Sequence, residues 1–317
     1  MQPPLPLAHC LLALTLVALT TLPAAANPRV RRSEPPQTWD PETERLFSSD
    51  PLEMLKGTRP AAGARPPAGP SARSGRDLPD QGSSSSPFAW ADRISGEVIA
   101  DEIKAQRLTV ADSVKSPAVF KGGGNRKLRD QFSVIAAMFG ITAQYNADIR
   151  WKEIAPAARD SFAKAARNAK SGDDPSFRES KLRSEDLDEL VRGGAVEFAE
   201  PEEKVLWSEV AERRPLMKRL KEAHESRLRP WTANQGEFDR NLSNIRHEAE
   251  ILAALAEVIK QPEYEFYDDD DYIEYCDQLQ REATRLVRAA REKNLAETQQ
   301  AVGQISQACD ACHEEFR

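Results

Sequence analysis

Apolar residues recur three and four positions apart through the last third of the chain. Three successive segments, residues 235–260, 269–293 and 295–315, show this spacing. The stripe of the final segment consists of Leu295, Thr298, Val302, Ile305, Cys309, Cys312 and Phe316. Alternation of three and four is typical of helices that pack at shallow angles in an antiparallel bundle. The pattern therefore predicts three neighbouring helices of one bundle.

The chain before these segments also has helical periodicity, and its sequence lacks runs of alternating β-branched residues. Glycine and proline breakers divide it into further helices near residues 93–115, 126–149, 153–170, 179–192 and 203–229. Pro215 is expected to kink or split the last of them. We therefore predict an all-α fold, an antiparallel four-helix bundle with additional N-terminal helices. Residues 91–232 would form a helical region that is part of the bundle or packed on it, and residues 233–317 its last helices.

The first 90 residues have a different composition. Residues 1–26 contain no Asp, Glu, Lys or Arg, run apolar from Leu11 to Leu22 and end in small residues, which predicts a secretory signal peptide. Their amino end lacks the usual basic residue, so an uncleaved membrane anchor is the alternative. Residues 27–90 are rich in Pro, Gly, Ser and Arg and are predicted to be a disordered linker. We expect an exported, periplasmic protein whose mature body does not insert into the membrane.

The net charge and the number of cysteines argue against two classes of protein, nucleic-acid-binding proteins and disulfide-stabilised proteins. The formal net charge of −7 gives no electrostatic support to nucleic-acid binding. Export would remove Cys10 and leave three cysteines, two of which stand three residues apart. An odd number of cysteines argues against a disulfide framework and for a chemical role.

That chemical role is indicated by the sequence Cys309-Asp310-Ala311-Cys312-His313, a C-x-x-C-H motif typical of covalent haem attachment. On a helix, Cys309 and Cys312 share one face, as two thiols that add to the vinyl groups of one haem must. His313 is four residues from Cys309, so its imidazole is predicted to be an axial ligand of the iron. Because both cysteines continue the apolar stripe, the single haem c is expected inside the bundle.

Two other interpretations of the cysteine pair remain. A thioredoxin-like C-x-x-C would need a βαβ context, which the helical pattern does not supply. A plain Cys309–Cys312 disulfide is possible in an exported protein, but it leaves His313 without a role. The motif therefore favours haem.

The remaining candidate ligands are isolated in sequence. His247 falls nearly opposite the apolar stripe of its helix, and His224 lies among charged neighbours, so both are expected on solvated faces. Cys276 lies on an apolar stripe and is predicted to be an inert buried thiol. The acidic run at 268–271 is predicted to be a solvated loop leading into a helix. A zinc site, which needs four ligands, is disfavoured.

The end of the chain, Cys-Asp-Ala-Cys-His-Glu-Glu-Phe-Arg, follows an Ala-rich helix pair with a short joint and resembles the cytochrome c′ family. Members of this family are four-helix bundles with the haem motif on the last helix. The resemblance covers residues 269–317, extends towards residue 235 and leaves 90–230 unexplained. It implies that residues 233–317 are haem-carrying helices. Phe316 and Arg317 match the family's aromatic and arginine, which implies that Arg317 lies near the proximal face of the haem.

Antiparallel topology places the start of the first bundle helix near the end of the last. A sixth iron ligand from that helix would be Met138 if residues 126–149 are the first helix, or Met217 if residues 215–229 are. Either methionine could instead be simple packing, which would leave the sixth position open.

The first functional hypothesis is electron transfer by a non-enzymatic c-type cytochrome, serving unidentified redox partner proteins. With an open sixth position, the resemblance also implies binding of small gases such as nitric oxide or carbon monoxide. The alternatives are a haem enzyme such as a peroxidase, or a non-haem helical interaction protein with a Cys309–Cys312 disulfide. The sequence does not decide whether the protein forms a homodimer through its helix faces.

Overall fold

The computed structural model describes residues 89–316, and in this range the chain is helical and contains no strand. The predicted signal peptide and all but the last two residues of the predicted linker lie outside the described residues. Eight helices in this range have nine or more residues: α1 (Gly96–Ser113), α2 (Asn125–Gln144), α3 (Ala155–Asn168), α4 (Asp174–Arg192), α5 (Arg213–Lys221), α6 (Leu242–Val258), α7 (Asp270–Arg291) and α8 (Leu295–Glu315). The predicted all-α class is confirmed.

Shorter helical segments connect or extend these helices. They are Trp90–Asp92, Pro117–Val119, Phe120–Gly124, Trp207–Val210, Glu222–Leu228, Arg229–Trp231 and Gln235–Arg240. Phe120–Gly124 and Glu222–Leu228 are π-helical, and the second of these continues α5 directly. Across residues 89–316, none of the helices combines the length and apolarity that crossing a membrane requires.

Helices α1 to α4 form a first group of four. Helix α1 packs against α2 and α4, and α3 packs against the same two helices, so the four close into a ring. The rings of Phe139 and Phe162 stack in its core with centroids 5.7 Å apart. Met138 is fully buried here. These are the additional N-terminal helices that the sequence predicts, but the predicted region 91–232 also contains α5, which packs with the later helices.

Helices α5 to α8 form a second ring of four. Helix α5 with its π-helical continuation packs against α6 and α8, and α7 packs against α6 and α8. At the start of α8, the Gln299 side chain donates to the carbonyl of Thr232, 2.8 Å away and just past the end of the α5 segment. Helices α5 and α8 are therefore antiparallel, and the start of α5 lies beside the end of α8. The first helix of this bundle begins at Arg213.

Two of the predicted helices are divided differently from expectation. The segment predicted at 203–229 breaks at Ala211 and Glu212, where the backbone is extended. Pro215 lies in the first turn of α5, where a missing N–H costs nothing, so it does not kink the helix. The segment predicted at 235–260 breaks at Asn241, whose side chain donates to the Glu237 carbonyl at 2.8 Å.

The two groups meet around a buried cluster of charges that we call the Arg219 cluster, formed by Glu102, Arg219, Arg227, His247 and Glu248. The Arg219 guanidinium donates to both oxygens of Glu102 at 2.8 and 2.9 Å and to Glu248 at 2.6 Å. Arg227 also binds Glu248. Burial raises the pKa of Glu102, but the hydrogen bonds and charge of Arg219, together with His247, outweigh it and hold that pKa well below its usual range.

His247 belongs to this cluster, which corrects its predicted place on a solvated face. Its Nε2 lies 3.1 Å from Glu102 Oε2, and the side chain is only about one-fifth exposed. The pattern of its own helix does place His247 away from the apolar stripe of the second ring. Helix α1 of the first group packs against that side. The periodicity of α6 alone does not predict this contact.

The last two helices match their predicted ranges, and their caps explain where they begin. Asp269 accepts hydrogen bonds from the backbone N–H groups of Asp271 and Tyr272, so the acidic run is a solvated helix start as predicted. Asn294 accepts from Glu297 N at 3.1 Å and caps α8. The two helices are joined only by residues 292–294, which makes them antiparallel neighbours.

The Asn294→Ala variant should have a free energy of unfolding about 1 kcal/mol lower than the parent, because the first turn of α8 loses its capping oxygen. Urea denaturation followed by circular dichroism measures the difference. Asn294→Ser keeps an oxygen at the cap position and should retain most of the stability. Equal losses in the two variants would show that the cap does not stabilise α8.

Candidate haem site

A cavity of about 400 Å³ opens between α5, α7 and α8 at the end of the second ring. This volume is within the usual range for cofactor and ligand pockets. Its wall includes the apolar side chains Met217, Leu220, Ile259, Leu279 and Ala308. Such a wall excludes water from a flat apolar group while leaving the cavity open on one side.

Cys309 and Cys312 lie in this wall, one helical turn apart on α8, and both are free thiols. Burial, helped by the neighbouring Asp310, raises the pKa of the Cys309 thiol to about 11, and burial likewise raises the pKa of Cys312. Both thiols are therefore protonated at neutral pH. A thioredoxin-like pair needs the opposite shift, since the reactive species is the thiolate. The raised pKa values of Cys309 and Cys312 therefore disfavour a thioredoxin-like pair.

His313 lines the same cavity from the last turn of α8, and its side chain is exposed. Beyond it, Phe316 is buried against Phe266 and Tyr272, with ring centroids 5.0 and 5.5 Å away. This aromatic cluster holds the end of α8 against the start of α7, and so fixes the motif in place. Arg317, assigned to the proximal face by the family resemblance, lies outside the described residues.

Basic side chains lie along the cavity on α5 and its continuation. They are Arg214, Lys218, Lys221 and Arg229, and the acidic side chains beside them are Glu225 and Asp310. Lys218 also pairs with Asp130 at 2.5 Å. Haem carries two carboxylate groups, and guanidinium and ammonium groups are the usual partners of carboxylates.

The two methionines proposed as sixth ligands lie in different places. Met217 lines the cavity, half-buried on α5. Met138 does not line it: this residue is fully buried in the first group, on α2. Met138 is therefore a packing residue of the other group, because the bundle's first helix is α5 and not α2.

His224 is the site residue that the sequence interpretation placed wrongly. It was expected on a solvated face, but it is 5 % exposed and lines the cavity from the π-helical turn after α5. Burial lowers its pKa. Its charged neighbours in sequence suggested solvent, whereas Leu220 and Leu228, four residues before and after it, mark the buried face and could have identified it.

Cys276 also lines the cavity, from α7. It is 3 % exposed, and burial, with the nearby Cys312, raises the pKa of its thiol to about 12. The prediction of a buried thiol is confirmed. A protonated, buried thiol is a poor nucleophile, as expected for an inert residue.

These residues fit a c-type haem. Two thiols share one helix face, an imidazole follows on the same face, the wall is largely apolar and the edge is cationic. Within residues 89–316, no group of three or more His, Cys, Asp or Glu side chains is placed to hold a metal ion. A haem does not require such a group, because the porphyrin supplies the four equatorial ligands and the chain only the axial ones.

The part of the chain that matches a known protein family lies at its end. The family model described as Cytochrome C′ matches residues 261–317, which span α7, α8 and the segment before them. No curated protein and no solved structure matched the chain. The predicted resemblance to this family is confirmed over the helices that carry the motif. Residues 261–317 are therefore similar to Cytochrome C′, which indicates a haem-binding cytochrome.

Proposed function

We propose that this chain is an exported c-type cytochrome that transfers electrons through one covalent haem. Cys309 and Cys312 would hold the haem by thioether bonds, and His313 would ligate its iron. The observation that carries the proposal is the C-x-x-C-H motif on α8, facing a largely apolar cavity within the segment that matches Cytochrome C′.

The chain's contribution to electron transfer is to hold and surround the group. Bound haem supplies an iron that gains and loses one electron. Leu220, Ile259 and Leu279 would exclude water from it, and the basic side chains of α5 would hold its carboxylates. Asp310 and His313 are exposed, so one wall of the cavity reaches the surface where a redox partner protein could dock.

Localisation and partners follow from the same proposal. Residues 1–26 would direct export to the periplasm, with an uncleaved membrane anchor as the alternative, and residues 27–90 would tether the helical part. The partners would be redox proteins and not nucleic acid, given the net charge of −7.

Two variants of the proposal depend on the far side of the iron. Binding of nitric oxide or carbon monoxide requires an open sixth position. A peroxidase requires a distal acid–base group, and His224 is the imidazole that faces the cavity besides His313. What occupies the sixth position of the iron therefore distinguishes electron transfer from these two activities.

Expression of the full chain in a host that assembles c-type cytochromes tests the proposal. The purified protein should show the absorption spectrum of a c-type haem, with a mass increase of one haem. A haem-free product with a Cys309–Cys312 disulfide would overturn it in favour of the interaction protein. Peroxide turnover at the rate of a true peroxidase would overturn the assignment as a non-enzymatic carrier.

A further inference from the structure

We propose that His224 is the second axial ligand of the haem iron, opposite His313. The inference rests on the proposed function, because it concerns the same haem. It predicts a six-coordinate iron between two imidazoles in place of the open or methionine-ligated position that the sequence suggests.

One ring nitrogen of His224 is buried and has no hydrogen-bond partner. The side chain is 5 % exposed, and its Nε2 makes no hydrogen bond. Buried polar atoms nearly always have a partner, so an exception requires an explanation. The residue lines the cavity together with Cys309, Cys312 and His313. An iron ligand bond would satisfy the nitrogen in the place where the haem is expected.

Burial also affects the protonation state of the His224 ring. Burial favours the neutral imidazole, which is the form that binds metals. The backbone of Val302, on α8, lies beside the same side chain. A ring whose Nδ1–H donates to a backbone carbonyl presents a lone pair at Nε2, which is the usual arrangement of a metal-bound histidine. His224 has the unpartnered Nε2 that this arrangement requires.

The segment that carries His224 is anchored by ion pairs on both sides. Residues 222–228 are π-helical, a rare conformation that occurs frequently at functional sites. Arg219 and Arg227, before and after His224, both bind the buried carboxylate of Glu248 on α6. These two ion pairs fix the turn on both sides of the imidazole. A ligand held in this way needs little reorganisation to bind.

Met217 and Cys276 are the other side chains of this cavity compared with His224 as iron ligands. Met217 lies on the same helix, but its thioether sulfur does not need a hydrogen-bond partner when it is buried. The side chain is therefore equally suited to packing. The thiol of Cys276 is protonated, since burial raises its pKa to about 12, and a thiol must lose its proton to bind. His224 is the one of the three that combines a neutral lone pair with an unsatisfied buried nitrogen.

The test compares the haem-loaded full chain with His224→Ala and, as a matched control on the same helix, Met217→Leu. Electron paramagnetic resonance and absorption of the ferric protein report the spin state. The parent and Met217→Leu should be low-spin without the long-wavelength charge-transfer band of a methionine ligand. His224→Ala should be high-spin, and added imidazole should restore the low-spin spectrum.

Ligand binding gives a second readout. With His224 bound, the open five-coordinate state is a minor one, of about 0.1–10 %. The apparent affinity for carbon monoxide should therefore rise by about ten- to a thousand-fold in His224→Ala. His224→Met, which retains a ligand, should stay low-spin and gain the methionine band, so the proposal does not depend on the alanine variant folding well.

The outcomes separate this inference from the proposed function. A parent without covalent haem would overturn the proposed function. A haem-loaded parent that is high-spin, or that loses its low-spin spectrum in Met217→Leu instead of His224→Ala, would overturn only the assignment of His224. Apoprotein nuclear magnetic resonance adds a haem-independent readout: the His224 ring should be the neutral Nδ1–H tautomer, and the Nε2–H tautomer would contradict the inference.

Discussion

With Cys309 and Cys312 both replaced by serine, protein produced in a haem-attaching host should carry no covalent haem. A serine hydroxyl does not form the thioether bonds that the motif supplies, and the two thiols are the cysteines one turn apart on α8. Haem staining after denaturing electrophoresis and intact mass both measure attachment. The parent should retain one haem through denaturation, and the double variant none.

Cys276→Ser is the matched control for this experiment. Cys276 is a third thiol in the wall of the same cavity, buried on α7. The variant should retain one covalent haem, because this residue lies outside the motif. Loss of the haem in Cys276→Ser, or its retention in the double variant, would contradict the assignment of the attachment residues.

The Arg219→Ala variant should have a free energy of unfolding lower than the parent by about 3–5 kcal/mol. The substitution removes the guanidinium that binds Glu102 and Glu248, which are 1 % and 2 % exposed. Two carboxylates then remain buried with only part of their partners, and this desolvation is the main cost. Urea denaturation of the haem-free chain, followed by circular dichroism, measures the change.

Two comparisons separate this effect from the loss of a surface ion pair. Arg281 pairs with Glu274 at 2.6 Å, but both side chains are more than half exposed, so Arg281→Ala should cost less than about 1 kcal/mol. The triple variant Glu102→Gln, Arg219→Met, Glu248→Gln removes the charges together and should lose much less than the sum of the single changes. A small effect of Arg219→Ala would show that the cluster is not a buried support of the bundle.

The Arg219 cluster also connects stability with the proposed site. Arg219 lies five residues before His224 and joins α1 of the first group to α5 and α6 of the second. Loss of this contact should therefore loosen the turn that carries His224 as well as the interface. This contact gives the additional N-terminal helices a structural role: they pack against α5 and α6.

The sequence alone determined the features that depend on local pattern. The stripe that passes through Cys309 and Cys312 predicted helices at 269–293 and 295–315, and the structure has them at Asp270–Arg291 and Leu295–Glu315. Their ends are set by Asp269 and Asn294, which act on the next few backbone groups. Motif, periodicity and caps all operate within one or two turns, so they can be interpreted from neighbouring residues.

The tertiary structure decided what lies across from the motif. His224 and His247 both appear solvated from their own helices, yet one lines the cavity and the other binds Glu102. Their environments are made by residues more than 75 positions away, Val302 for His224 and Glu102 for His247. Burial depends on which helices pack together, and a periodic pattern within one helix does not specify its neighbours.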